Sequence, residues 1–151
     1  MSDSISAQVG TSAMGFWDTT LIVGVFSVLA TAVLFYLGNR IQAKAKLDDA
    51  LNNLLNIGIQ YPKLEREAFI KSITDYESDD EAMRYNLYCI AWFNYLHQLF
   101  KYHCGKVDKI HADFNCSEVV NTHKNWWENN YKENFKSYKP EFITFIQSQI
   151  K

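Results

Sequence analysis

The first 39 residues contain no lysine and no arginine. A cleaved secretory leader opens on positive charge, so this stretch reads as a retained segment, although Ala30 and Ala32 offer the small residues of a cleavage site. Proline occurs only at Pro62 and Pro140, which leaves few obligatory breaks between helices. Cysteine occurs three times, at Cys89, Cys104 and Cys116, and an odd count argues against a disulfide framework. The series Cys104, His111, Cys116 and His123 lacks the close ligand pairs of structural zinc, so neither a metal nor another cofactor is expected. No segment alternates apolar and polar residues over strand length. Also missing are a phosphate-binding glycine loop, a nucleophile elbow and a His-Glu-x-x-His zinc motif. Arg66 and Arg84 have no histidine a short spacer downstream, as one class of ribonucleases requires. The chain is therefore expected not to be an enzyme.

What the chain does have is an uncharged run, TTLIVGVFSVLATAVLFYLGN, over residues 19–39. Its 21 residues match the roughly 20 that cross a hydrocarbon core of about 30 Å as a helix. Eleven of them are Leu, Ile, Val or Phe. Near the bilayer centre these contribute about −3 to −7 kcal/mol, offset in part by the hydroxyl and amide residues. Phe16 and Trp17 before the run, and Tyr36 near its end, sit where an interfacial aromatic belt belongs. Arg40, Lys44 and Lys46 follow at once, so the positive-inside rule assigns residues 40–151 to the cytoplasm. There the three cysteines are reduced thiols.

The domain expectation is a short non-cytoplasmic tail over 1–18, a transmembrane helix over 19–39, and a cytosolic helical domain over 40–151. Residues 1–15 are rich in Ser, Ala, Gly and Thr without periodicity, and read as a disordered tail. Leu47, Leu51, Leu54 and Leu55 recur at helical spacing with no linker before them. One helix from about Thr19 to Ile57, roughly 60 Å long, is the simplest reading, with Gly38-Asn39 its weak point. KLEREAFIKSITDY restarts as an amphipathic helix, and Ser78 to Glu81 reads as a capping box for a central apolar helix ending at Gly105. Residues 107–114 are ambiguous. One further helix is expected from Ser117 onward, and Pro140 opens the last. The fold class is all-α, with four or five helices in the soluble part.

Two stripes carry functional readings. In the span, Thr20, Gly24, Ser27, Thr31 and Gly38 fall on one heptad stripe that suits close packing between copies in a homo-oligomer, or the lining of a pore. On the central helix, Tyr85, Tyr88, Trp92, Tyr95 and Tyr102 share a stripe. Such a stripe is either core or a surface on which bases stack. Arg84, Lys101, Lys106 and Lys109 flank its ends, with Arg66 the one other arginine beyond the membrane-flanking Arg40. The candidate ligand residues are thus Arg66, Arg84, Tyr88, Trp92, Lys101, Tyr102, Lys106 and Lys109, arginine supplying a fork onto an anion and lysine a point charge. Removing Asp3 and Asp18 from the 17 acids leaves the part beyond residue 39 with 15 acidic and 15 basic residues, so double-stranded nucleic acid is not expected as a partner.

The tail HKNWWENNYKENFKSYKPEFITFI resembles the C-terminal end of uncharacterised bacterial proteins with one N-terminal membrane helix and a helical cytosolic domain. It also reads as two amphipathic helices packed through Trp126, Trp127, Phe135, Phe142 and Phe145. The layout of the whole chain resembles small membrane effectors of bacterial antiviral defence, particularly those linked to type III CRISPR systems. The resemblance implies a bacterial inner-membrane location and a cytosolic domain that binds a cyclic oligoadenylate and then perturbs the bilayer. It is one of architecture; the ligand residues come from charge and aromatic spacing. The alternative expectation is a membrane-tethered helical adaptor that recruits a protein partner.

Overall fold

A computed structural model of the chain describes residues 12–73, 79–134 and 137–151, the stretches 12–20 and 130–134 for their backbone alone. Among the described residues the fold is all-α: seven α-helices and a 3-10 turn over Pro62–Glu65, with no strand. The chain divides into two compact units, Met1–Gln42 and Ala43–Lys151. The first helix, α1 (Ser12–Gln60), is long and apolar enough in its N-terminal part to cross a membrane.

In the first unit every side chain from Leu21 to Leu37 is exposed, with Phe35 at 71%. An exposed apolar run of that size is long enough to cross a hydrocarbon core as a helix. The Thr31 hydroxyl donates to the Ser27 carbonyl at 2.8 Å, so it is satisfied inside its own helix. A Cβ placed on Gly24 or Gly38 would meet nothing within 4 Å. The helical assignment runs unbroken through Gly38-Asn39 and extends beyond both expected ends.

The second unit is built around α3 (Asp80–Tyr102), which contributes Tyr85, Tyr88, Cys89, Trp92, Phe93, Tyr95, Leu96 and Leu99 to the core. Around it lie α2 (Glu67–Ser72), α4 (Val107–Asp113), α5 (Cys116–Thr122), α6 (Lys124–Asn134) and α7 (Pro140–Gln149). Among the described residues the second unit thus holds six α-helices beside the end of α1, where the spacing suggests four or five. Phe93 is stacked against both Trp126 and Trp127, with ring centroids 5.3 and 4.5 Å away. The Trp126 indole donates to Asn86 Oδ1 at 2.8 Å, which satisfies its one donor in the core. Phe142, Phe145 and Ile146 bury the face of α7. Phe135, expected in the same group, lies outside the described residues. Leu47 and Leu54 bury the domain end of α1, and Lys44 reaches Asp113 at 3.1 Å, whose carboxylate also meets His103 Nε2 at 2.9 Å.

Four expected boundaries differ. The N-cap of α3 is Asp79, which accepts from the Ala82 N–H at 2.8 Å; Ser78 lies outside the described residues. The amphipathic segment after Tyr61 is a 3-10 turn (Pro62–Glu65) followed by α2, because Arg66 between them is extended. The helix expected from Ser117 begins at Cys116 and breaks at His123, giving α5 and α6. The ambiguous residues after Lys106 form α4.

Candidate functional site

Arg66 and Arg84 are far apart in sequence, yet they line one pocket of about 300 Å³ with Gln60, Tyr61, Pro62, Lys63, Leu64, Phe69 and Glu81. The local reason is the end of α1. Pro62 cannot continue the helix, the chain tightens into the 3-10 turn, and extended Arg66 then redirects it. That excursion brings Tyr61 against the first turns of α3, where the Arg84 guanidinium sits 4.6 Å from the Tyr61 ring centroid. Such a cation–π contact is worth about 0.5–1 kcal/mol at an exposed site and holds the fork in one orientation. Lys63 lies 5.1 Å from the Phe69 ring centroid and pairs with Glu81 at 2.5 Å. Both partners of that pair are half exposed, so it is easily exchanged for another anion. A neighbouring pocket of about 480 Å³ shares Lys63, Arg66, Phe69 and Glu81. The two form a groove with three cations, two acids (Glu81 and Asp79, the N-cap of α3) and two aromatic walls. Its chemistry suits a small anion with an apolar or aromatic part.

The other expected ligand residues fall elsewhere. Tyr88 and Trp92 are buried, at 3% and 4% exposure, and belong to the core. Trp92 is stacked on Phe114 at 5.9 Å, and Tyr88 sits edge-on to it at 6.1 Å. As placed, neither offers a face to a base; with their neighbours Tyr85 and Tyr95 also buried, this part of the stripe is packing. Lys101 and half-buried Tyr102 end α3, Lys106 caps α4 and Lys109 lies on it. From Arg84 to Lys101 is 17 positions of one helix, about 25 Å, so these cations form a separate group at the opposite end. Of the span residues, Gly24, Ser27, Thr31 and Gly38 lie on α1, and the side chain of Thr20 is outside the described set.

A second constellation joins four residues that sequence spacing does not connect. His123 is 1% exposed and shares a 3.0 Å hydrogen bond through Nδ1 with the Tyr85 hydroxyl. Its Nε2 lies 3.7 Å from Glu65 Oε1, and the Tyr88 hydroxyl donates to that same oxygen at 2.5 Å. The His123 imidazole is the largest influence on Glu65; burial opposes it, the Tyr88 hydroxyl adds to it, and the carboxyl is held below its ordinary range. The Trp92 N–H favours the carboxylate too, without meeting hydrogen-bond geometry. Burial, and then the hydrogen bond to Glu65, push the Tyr88 phenol well up. Glu65 faces a wide pocket of about 760 Å³ lined by α2, α5 and α6. Burial also pushes the thiols of Cys89 and Cys116 up, so both are inert packing groups. Among the described residues no three His, Cys, Asp or Glu side chains are grouped to hold a metal ion.

No protein-family model, no curated protein and no solved structure matches this chain.

Proposed function

We propose that the chain is a single-pass protein of the bacterial inner membrane, its N-terminus outside and its helical domain in the cytoplasm. The domain binds a small anionic second messenger, and α1 conveys the binding to the bilayer. The observation that carries this reading is the convergence of Arg66 and Arg84 beside Tyr61, in a pocket whose wall includes the last turn of α1. A ligand there touches the same helix whose earlier turns are apolar enough to span a membrane. The groove supplies forked donors for phosphate oxygens and aromatic faces at its sides, which favours a nucleotide over a bare ion. A cyclic oligoadenylate, in an antiviral effector of the kind the layout resembles, is the ligand we expect.

The test is thermal unfolding of the full-length chain in detergent, with cyclic and linear oligonucleotides added. A ligand at 100 times its dissociation constant stabilises the folded state by about 2.7 kcal/mol. Each guanidinium contributes about 1.5–3 kcal/mol through charged hydrogen bonds, so Arg66→Ala or Arg84→Ala weakens binding by roughly ten- to a hundredfold. If no nucleotide raises the melting temperature, or both variants respond like the parent, the pocket is not a messenger site. The adaptor reading then takes its place.

A further inference from the structure

Within the helical unit α1 presents two faces. Leu47 and Leu54 are buried, and Ala50, Leu51 and Ile57 pack beside them on the core. Ala45, Asp48, Asn52, Leu55 and Ile59 are all exposed. Leu55 is 47% and Ile59 76% exposed. At 3.6 residues per turn the two sets are centred about 140° apart, so the core that covers one leaves the other open. The exposed set is spaced 3, 4, 3 and 4, as in a coiled-coil seam. The same alternation is written in the sequence of the membrane segment through Thr20, Gly24, Ser27, Thr31, Leu34 and Gly38.

We propose that this face is covered by a second copy of the chain, with its α1 parallel and in register. Three features select that occupant. Ala45, Asn52 and Ile59 fall at one heptad position and Asp48 and Leu55 at the other. A lone asparagine at the first of these positions meets its own counterpart only when two parallel chains are in register. Lys44, which also meets Asp48 and Asp113 of its own chain, and Asp49 flank the seam five residues apart, the separation at which opposite charges on two parallel copies face each other. An antiparallel copy or an unrelated helix gains neither match. Asp48 is the weak point of the seam, and Lys44 of its own chain, 3.4 Å away, partly neutralises it. Two cytosolic heptads are marginal alone. Confinement of both chains to one membrane raises their effective concentration and fixes their relative direction. Only this last step rests on the membrane reading above.

The test uses the full-length chain in lipid vesicles, with exposed Cys104 replaced by serine and buried Cys89 and Cys116 retained. Single cysteines replace Leu55, Ile59 or, as the control, exposed Asn53 on a neighbouring face of the helix. Under mild oxidation Leu55→Cys and Ile59→Cys form covalent dimers in the majority of the protein, and Asn53→Cys gives a trace. Equal cross-linking at Asn53, or none at any position, overturns the proposal. So does a cysteine at Ile59 that is shielded from maleimide yet forms no dimer, because lipid or another protein then covers the face. No anionic ligand is present in these measurements, so their failure leaves the Arg66 and Arg84 pocket untouched. Loss of ligand binding, conversely, leaves the cross-links in place.

Discussion

Tyr85→Phe deletes a single oxygen atom and tests whether the His123 cluster is a buried structural unit. Tyr85 is fully buried and His123 nearly so. With the imidazole proton on Nε2, toward Glu65, the Nδ1 acceptor takes its hydrogen bond from the Tyr85 hydroxyl at 3.0 Å. Removing that hydroxyl leaves a buried acceptor without its donor, and no water reaches a side chain that is 1% exposed. An orphaned buried polar group costs about 1–3 kcal/mol. For a helical unit spanning Ala43–Lys151, 1 kcal/mol shifts the melting temperature by about 4 °C, so the expected loss is about 4–12 °C. Tyr138→Phe is the comparator: the same atom is deleted, but the hydroxyl donates at 3.0 Å to the exposed Asn94, which water then satisfies. That change is expected to cost about 0.5 kcal/mol or less. Both are followed by tryptophan fluorescence, because Trp92, Trp126 and Trp127 are buried in this unit. Equal melting temperatures for the two variants would refute the reasoning, since burial would then not distinguish the two hydroxyls.

Three further outcomes follow from the same geometry. Glu65 has a folded pKa below its unfolded one, so its contribution is present at neutral pH and is lost as the pH falls through the folded value. Glu65→Gln should therefore flatten the acid limb of a plot of melting temperature against pH, and an unchanged limb would assign the acid sensitivity to other groups. Asp113, lowered first by the hydrogen bond from Lys44, acts in the same direction, so Asp113→Asn flattens that limb as well. Cys104 sits at φ +51 and Gly105 at φ +72, and a Cβ on Gly105 would meet Phe100 Cζ at 3.1 Å. Cys104→Gly should stabilise by up to about 1 kcal/mol and Gly105→Ala should destabilise by at least as much, with opposite shifts in the denaturation midpoint as the check.

Periodicity made α1, α3 and α7 legible because each is governed by nearby residues: an uncharged run, an apolar stripe, a proline at the first turn. It failed where a distant side chain decides. Nothing between Ser117 and Tyr131 forbids a continuous helix; the break falls at His123, whose ring is held by Tyr85 from α3 and faces Glu65 from the 3-10 turn. The segment after Pro62 is similar, since Arg66 turns extended so that Leu64 and Ile70, on either side of it, can both be buried. The candidate ligand residues show the same division. Charge and aromatic content singled out Arg66 and Arg84 together with Tyr88 and Trp92, but composition cannot tell a ring in the core from a ring at its edge. Tyr61, which stacks on Arg84, had no sequence signal beyond the proline that follows it.

The packing of α1 also limits how a ligand can act through it. Leu47 and Leu54 are almost fully buried, and freeing each into water costs about 1.5–3 kcal/mol, or about 3–6 kcal/mol for the pair. The contact of Lys44 with Asp113 adds to this. A ligand that prefers one arrangement of the domain tenfold supplies about 1.4 kcal/mol. One such ligand is too weak to peel α1 off the domain. It is strong enough to choose between two arrangements in which α1 stays packed and Gln60 and Tyr61 close on the Arg66 and Arg84 groove. Two copies joined along α1 double the preference to about 2.8 kcal/mol, but freeing both helices doubles the cost to about 6–12 kcal/mol, so the balance is unchanged. Coupling by this route must therefore move α1 together with the core that holds Leu47 and Leu54. On the messenger reading proposed above, substitutions that loosen that core, Leu54→Ala foremost, should uncouple membrane effects from ligand while binding at Arg66 and Arg84 persists.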